Sequence, residues 1–269
     1  MDRHTEDIGL SSLGEVNLLP REIMEALYLR LVPPELLDRL GVNRVTLAGF
    51  DGFRRVRITA PDDKPWARVE VRASPDDRDP LLLIDVEMSP FAVPELAFVQ
   101  ITDPTAPRFS IDRDADGRDT LLGTAGRNLE EEIRAMRSGL APGQVRRGQR
   151  LLGRVLDRME LFCRVIRKEI FLIDPLFYHS AILYERHGCG YLLGRDVMDE
   201  LNGGFAEGGA LRGRLDGSSA FRSPDAHRTV RGRSWALHDG LLGHPWSGVK
   251  MYKAAGRPAG MATFPGAVY

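Results

Sequence analysis

Three groups of residues in this chain have types and spacings that could do chemistry. The first is Asp112-Arg113-Asp114-Ala115-Asp116-Gly117, with carboxylates at every second position followed by glycine. Oxygens at alternate positions can wrap a hard cation such as Ca2+, and glycine permits the sharp turn, so the segment reads as the first half of a calcium loop. Its twelfth position is Gly123 rather than a bidentate carboxylate. The same residues also make an ordinary acidic turn, and both readings stand. The second group is His179 and Glu160, with His238 and His244 further along. Imidazole and carboxylate together suit a transition metal or acid–base work. No His-x-x-x-His or Cys-x-x-Cys pair accompanies them, and a structural histidine is the alternative.

The third group is Gln144-Val145-Arg146-Arg147-Gly148-Gln149, which leads into a long apolar-striped segment. Arginines, a glycine and the free amides of a helix start can receive a phosphate. Then follow the apolar run Ile170–Ile173 and a segment ending Leu183-Tyr184-Glu185-Arg186-His187-Gly188. This order resembles the central unit of GNAT-type acyltransferases, with an Arg/Gln-rich glycine loop, a helix, a strand, and a helix ending in Leu-Tyr-Glu-x-x-Gly. The resemblance covers residues 144–188. It implies acyl-CoA as co-substrate, with its pyrophosphate held by the amides of Arg146, Arg147, Gly148 and Gln149. It also implies that Tyr184 protonates the departing thiolate, and His179 or a carboxylate such as Glu160 would be the base. Three features differ from the family pattern. Arg150 stands where a second glycine is expected. Leu129–Arg137 reads as a helix where a strand should precede the loop. Leu192–Leu201 reads as a helix where two strands should follow.

The elements that must position these groups follow from periodicity. Residues 1–19 read as a loose leader. Pro20 starts an amphipathic helix over Arg21–Leu31, and a second short helix runs from Pro34 to Leu40. Over 42–113 the period is two, with strands expected at Arg44–Phe50, Phe53–Thr59, Trp66–Ala73, Leu81–Met88, Glu95–Ile101 and Arg108–Asp112. Arg68-Val69-Glu70-Val71-Arg72 alternates as a strand with one wet face, and Leu81-Leu82-Leu83-Ile84 should be the most buried. Short turn-rich links make this an antiparallel meander of five or six strands. From 126 to 202 the pattern is helical. Asn128 caps Leu129–Arg137, Pro142 opens a helix continuing to Ile166, Ile170–Ile173 is strand or helix, Asp174-Pro175 starts a helix to His187, and Arg195–Leu201 is a last short one. Residues 203–269 read as a Gly-rich basic tail. They hold 13 of the 28 glycines and a local charge of +5, so the tail is either a solvated surface strap or an arm over an anionic ligand.

The expected fold is therefore α+β. A helical leader (1–41) and an antiparallel sheet (42–113) come first, then a helical region (126–202) and the tail (203–269), all in one domain. The formal net charge of −1 argues against a nucleic-acid binder. Two cysteines, Cys163 and Cys189, suit a reducing cytoplasm. No run approaches the roughly 20 apolar residues of a membrane span. Lysine occurs at only four positions, so arginine supplies 33 of the 37 cations, and arginine binds carboxylate and phosphate bidentately. The functional expectation is a small-molecule enzyme, with an acyl-CoA-dependent acyltransferase as the specific form. A metal-dependent enzyme and a non-catalytic protein enclosing a small, possibly anionic ligand are the alternatives.

Overall fold

In a computed structural model, residues 9–269 are described, and Met1–Ile8 of the expected leader lie outside them. The described chain is α+β. Its seven strands are β1 (Val56–Thr59), β2 (Trp66–Val71), β3 (Leu82–Met88), β4 (Pro94–Ile101), β5 (Ile170–Ile173), β6 (Gly190–Leu193) and β7 (Lys250–Ala254), in the sheet order β1-β2-β3-β4-β5-β7-β6. The chain clusters into two compact units that do not follow the expected halves. The first takes residues up to Pro104, Gly148–Asp174 and Tyr252–Pro258; the second takes Thr105–Arg147, Pro175–Met251 and Ala259–Tyr269.

The first unit is built on an antiparallel meander of four strands, β1 to β4, to which β5 adds in parallel. Alternation does what the sequence requires: Ala67, Val69 and Val71 of β2 are buried, while Trp66, Arg68 and Glu70 face outward and are partly exposed. Two expected strands are absent. Over Arg44–Phe50 the Asn43 side chain accepts from the amides of Val45 and Thr46 and bends the chain, and Leu47 sits at φ 59°. Over Arg108–Asp112, in the second unit, both terminal nitrogens of Arg108 reach the carboxylate of Asp112, which curls the segment back on itself.

The leader is corrected too. Ser12 caps α1 (Leu13–Asn17), whose Leu13 and Val16 are buried. The Asn17 amide donates to the carbonyls of Pro61, Lys64 and Trp66, tying the helix to the turn before β2. Helices α2 (Arg21–Tyr28) and α3 (Pro34–Arg39) follow. The long helix begins later than expected, because Gly143 (φ 77°) and Arg150 (φ 57°) are incompatible with a helix from Pro142. It is α5 (Leu152–Val165), with Val155, Leu156, Met159, Phe162 and Cys163 buried.

The second unit holds α4 (Leu129–Arg137), capped by Asn128 as expected, α6 (Tyr178–Arg186), α7 (Arg195–Gly204), α8 (Ala210–Gly213) and α9 (Val230–His238). The reading of residues 203–269 as a surface strap fails at α9, which packs on α6 and buries Trp235, Ala236 and Leu237. No helix of the described residues is long and apolar enough to cross a membrane.

Candidate functional site

In the first unit, β4 and β5 run in parallel for only two positions, Glu95↔Leu172 and Leu96↔Ile173. Pairing with β3 continues to Ile101. The register on the β3 side slips between Asp85↔Phe98 and Val86↔Leu96, so Ala97 is an extra residue. Such a bulge bends and twists its strand. It lies one residue past the last pair with β5, which ends at Ile173.

The glycine loop comes to the end of β4, five residues beyond the last pair with β5. The chain leaves β4 at Ile101, and Thr102 anchors it by donating its hydroxyl to Pro80 O at 2.6 Å. The chain returns at Gly148, where a Cβ would stand 3.1 Å from Ile101 O, tighter than a side chain comfortably tolerates. The Gln149 amide donates to Thr102 O at 2.8 Å and accepts from Arg39 at 2.5 Å. Arg150 turns the chain in the left-handed region, and α5 starts at Leu152 with no side chain capping its amides. Arg150 and Arg154 are exposed at that end. Of the other expected loop residues, Arg146 donates to Ala106 O at 2.8 Å and Arg147 is exposed.

The residues expected to act as acid and base are held differently. Tyr184 on α6 is buried, and burial pushes its phenol well above the ordinary value, so it keeps its proton at neutral pH. His179, also on α6, is 4% exposed, and its Nδ1 lies 3.0 Å from Ser234 Oγ. A serine beside an imidazole is the pair that nucleophilic catalysis uses. Here burial, then the nearby His238 and Arg231, push the imidazole down to about 3. An imidazole that weak is a poor base near pH 7, and Ser234 is 2% exposed. Glu160 belongs to the first unit, where it accepts from Lys253 Nζ and the Gly256 amide, both at 2.8 Å.

The carboxylates of the acidic loop are each engaged locally. Asp112 takes Arg108, Asp114 accepts from the amides of Asp116 and Arg118, and Asp116 pairs with Arg118 at 2.8 Å. Among the described residues no group of three or more His, Cys, Asp and Glu is arranged to hold a metal.

A polar network that sequence reasoning missed lies inside the second unit. Glu132, 1% exposed, accepts from Arg127 and lies 3.4 Å from His238 Nε2. Burial raises its carboxyl, but the hydrogen bonds from His238 and Arg127 more than offset this and hold it below the usual range. Asp239 accepts from Arg127, Ser219 and Arg222 at 2.7–2.9 Å and is lowered in the same way against its burial. Arg127 and Asp239 are 112 residues apart in sequence, so spacing carries no signal of their meeting.

Two surface clefts lie among the described residues. One, of about 300 Å³ in the first unit, is lined by Arg54, Arg55, Arg57 and Arg72 with Glu70. The other, of about 410 Å³ in the second unit, is lined by residues of α4, α9 and the 220–226 segment. Neither is lined by Tyr184 or Gly148. No protein-family model, curated protein or solved structure matches this chain.

Proposed function

We propose that the protein is an acyl-CoA-dependent acyltransferase whose pyrophosphate site is the loop at 146–149 with the amino end of α5. The observation that carries this reading is the return of the chain to β4 at Gly148. The resemblance to GNAT-type acyltransferases requires a glycine loop that leaves a strand and enters a helix. In sequence a helix, α4, precedes the loop. In space Gly148 and Gln149 lie on the end of β4 and lead into α5, so residues 103–147 are an excursion from that junction. Two further observations favour it. Ile170–Ile173 is a strand parallel to β4, and two strands, β6 and β7, follow the tyrosine helix, the first directly after Gly188.

The chemistry needs few groups. A nucleophile attacks the thioester carbonyl, the C–S bond breaks, and the departing thiolate takes a proton. The uncapped amides of α5 and the cations Arg147, Arg150 and Arg154 suit a pyrophosphate. Bidentate guanidinium contacts are stronger than neutral hydrogen bonds, so removing one costs about 1.5–3 kcal/mol. By the resemblance Tyr184, proton-bearing at neutral pH, supplies the proton.

The test is calorimetric titration with CoA and acetyl-CoA. Micromolar binding is expected. Arg147→Ala should weaken it about tenfold or more, the equivalent of 1.4 kcal/mol or above. Gly148→Val should do the same by driving its side chain against Ile101 O. Tyr184→Phe should leave binding intact and lower turnover. Absence of CoA binding at millimolar ligand, in protein that is folded, rejects the reading.

A further inference from the structure

The cleft of the first unit lies on the wet side of β1 and β2. Arg57 stands directly opposite Glu70 in the register of these strands, and the Arg72 amide donates to Arg55 O at 2.9 Å, which extends the ladder to that pair. Side chains two apart in a strand share a face. Arg55, Arg57, Glu70 and Arg72 therefore crowd one patch, which Arg54, Phe53 and Pro75 complete. At about 300 Å³ the cleft is at the small end of ligand sites.

Its charges do not balance. Glu25 answers Arg54 but also Arg21, Asp51 answers Arg55, and Glu70 answers Arg72. Arg57 makes no hydrogen bond or ion pair with any described residue, although Glu70 is opposite it. Five arginines thus meet three carboxylates, and two positive charges are left over. Arg55 and Arg72 also face each other across the ladder, a like-charge pairing that destabilises a sheet unless something answers it.

A ligand has access to the donors. The side chains of Arg54 and Arg72 are 42% and 27% exposed, and Arg57 is exposed. Arg54 uses Nε on Val56 O and Nη2 on Glu25, while Arg72 uses Nε on Glu70 and Nη1 on the main-chain oxygens of Asp77 and Arg78. That leaves Arg54 Nη1, Arg72 Nη2 and the whole fork of Arg57 with N–H groups to give. Arg55 differs, because its terminal nitrogens are spent on Ala73 O and Asp51, so it adds charge without a contact.

We infer that this cleft holds the phosphoryl group of a small phosphate monoester, with Arg57 as its main ligand and Arg54 and Arg72 beside it. Such an ester carries about two negative charges at neutral pH and presents several acceptor oxygens, which matches the surplus charge and the free donors. Guanidinium and phosphate pair through parallel N–H bonds. The site uses no residue of 144–188 and does not depend on acyl transfer.

The experiment titrates the full chain, without CoA and at low salt, with phenyl phosphate, phenyl sulfate and inorganic phosphate in a calorimeter. The first two share a shape and differ in charge. Phenyl phosphate should bind at least tenfold more tightly than the sulfate at pH 8, and the preference should shrink toward pH 5 as the ester loses its second charge near a pKa of about 6. Inorganic phosphate, with no body to lie on Phe53 and Pro75, should bind at least threefold more weakly than the ester. Arg57→Gln should weaken phenyl phosphate tenfold or more. Because Arg57 bonds nothing in the fold, the thermal midpoint and circular dichroism should not change. Arg137→Gln removes an equal charge from an exposed position outside the cleft and should leave the affinity intact. Arg147→Ala should also leave it intact, and Arg57→Gln should leave CoA binding intact, which separates this site from the pyrophosphate loop. Equal affinity for ester and sulfate overturns the inference, and so does equal affinity for ester and free phosphate. Equal losses from Arg57→Gln and Arg137→Gln reduce the binding to diffuse charge and overturn it as well. Absence of ester binding at millimolar concentration, or binding lost with Arg147→Ala but not with Arg57→Gln, does the same.

Discussion

The two units hold their charges differently, the first on a wet sheet face and the second in its interior. In the first, ion pairs stand on the wet face of the meander. Arg68 meets Asp85 across β2 and β3 through two hydrogen bonds of 2.7 Å, with the arginine side chain 42% exposed. In the second, Arg127, Glu132, His238, Asp239 and Arg222 form a chain of contacts centred on two carboxylates that are buried or nearly so. A charge on a sheet face stays partly hydrated and its pairing contributes little. A charge taken inside depends on its partners, and losing one partner strands the other. Sheet-face charges should therefore be replaceable and interior ones should not.

The sharpest way to break that contrast is Glu132→Ala. It removes the acceptor shared by Arg127 and His238, and the expected loss in urea unfolding is about 3–5 kcal/mol, the range for breaking a buried pair. A loss under about 1 kcal/mol would mean that the interior network is hydrated like the surface one. Next in size is Gly232→Ala on α9. The added carbon would meet the main chain of Ala226, which cannot move as a side-chain tip can. Overpacking of this kind costs about 1–3 kcal/mol. Arg57→Ala, on the exposed face of β1, should stay within about 0.5 kcal/mol.

A further prediction concerns pH. The folded value of His179, about 3, lies below its ordinary 6.5. The unfolded chain therefore takes up a proton that the folded chain refuses. The stability gained by keeping this imidazole neutral is complete above about 6.5 and is lost as pH falls toward 3. The slope approaches one proton, about 1.4 kcal/mol per pH unit. His179→Gln should flatten the unfolding free energy between pH 6 and 4 relative to the parent. If the two slopes agree, His179 is not held neutral.

The same contrast explains what could be read from the residues alone. β2 was legible because a face that touches water must alternate, and the alternation is local, whereas β3 showed itself as the unbroken apolar run Leu81–Ile84. α4 was legible because Asn128 and Gly139 mark its ends. Leu13–Asn17 was missed although Ser12 and Glu15 stand at capping spacing, because five residues hold too little periodicity to register. Arg44–Phe50 has strand composition, and a single side chain, Asn43, overrides it. The glycines of 203–269 suggested a strap, yet Gly232 is there so that α9 can approach the main chain of Ala226. At the candidate site, the residue types of the loop were legible. Its position against β4 was not, because the 103–147 excursion hides in sequence a neighbourhood that exists only in space.

The last prediction bears hardest on the first half of the comparison. Arg68 and Asp85 are directly opposite in the β2–β3 register and bond through both guanidinium nitrogens that face the carboxylate. That geometry is the best a surface pair can have, and Asp85 is itself mostly covered, its side chain 10% exposed. If any sheet-face pair were to behave like the interior network, it would be this one. A double-mutant cycle with Arg68→Ala and Asp85→Ala isolates the coupling from the separate costs of each truncation. Because the arginine keeps much of its hydration, the expected coupling is about 0.5–1 kcal/mol, the upper part of the range for exposed pairs. It should shrink at high salt, since a screened interaction is one that solvent can reach. A coupling of about 3 kcal/mol, unmoved by salt, would put this pair in the class of Glu132 and Arg127. The dividing line would then run through the burial of the carboxylate alone, whichever face of whichever unit carries it.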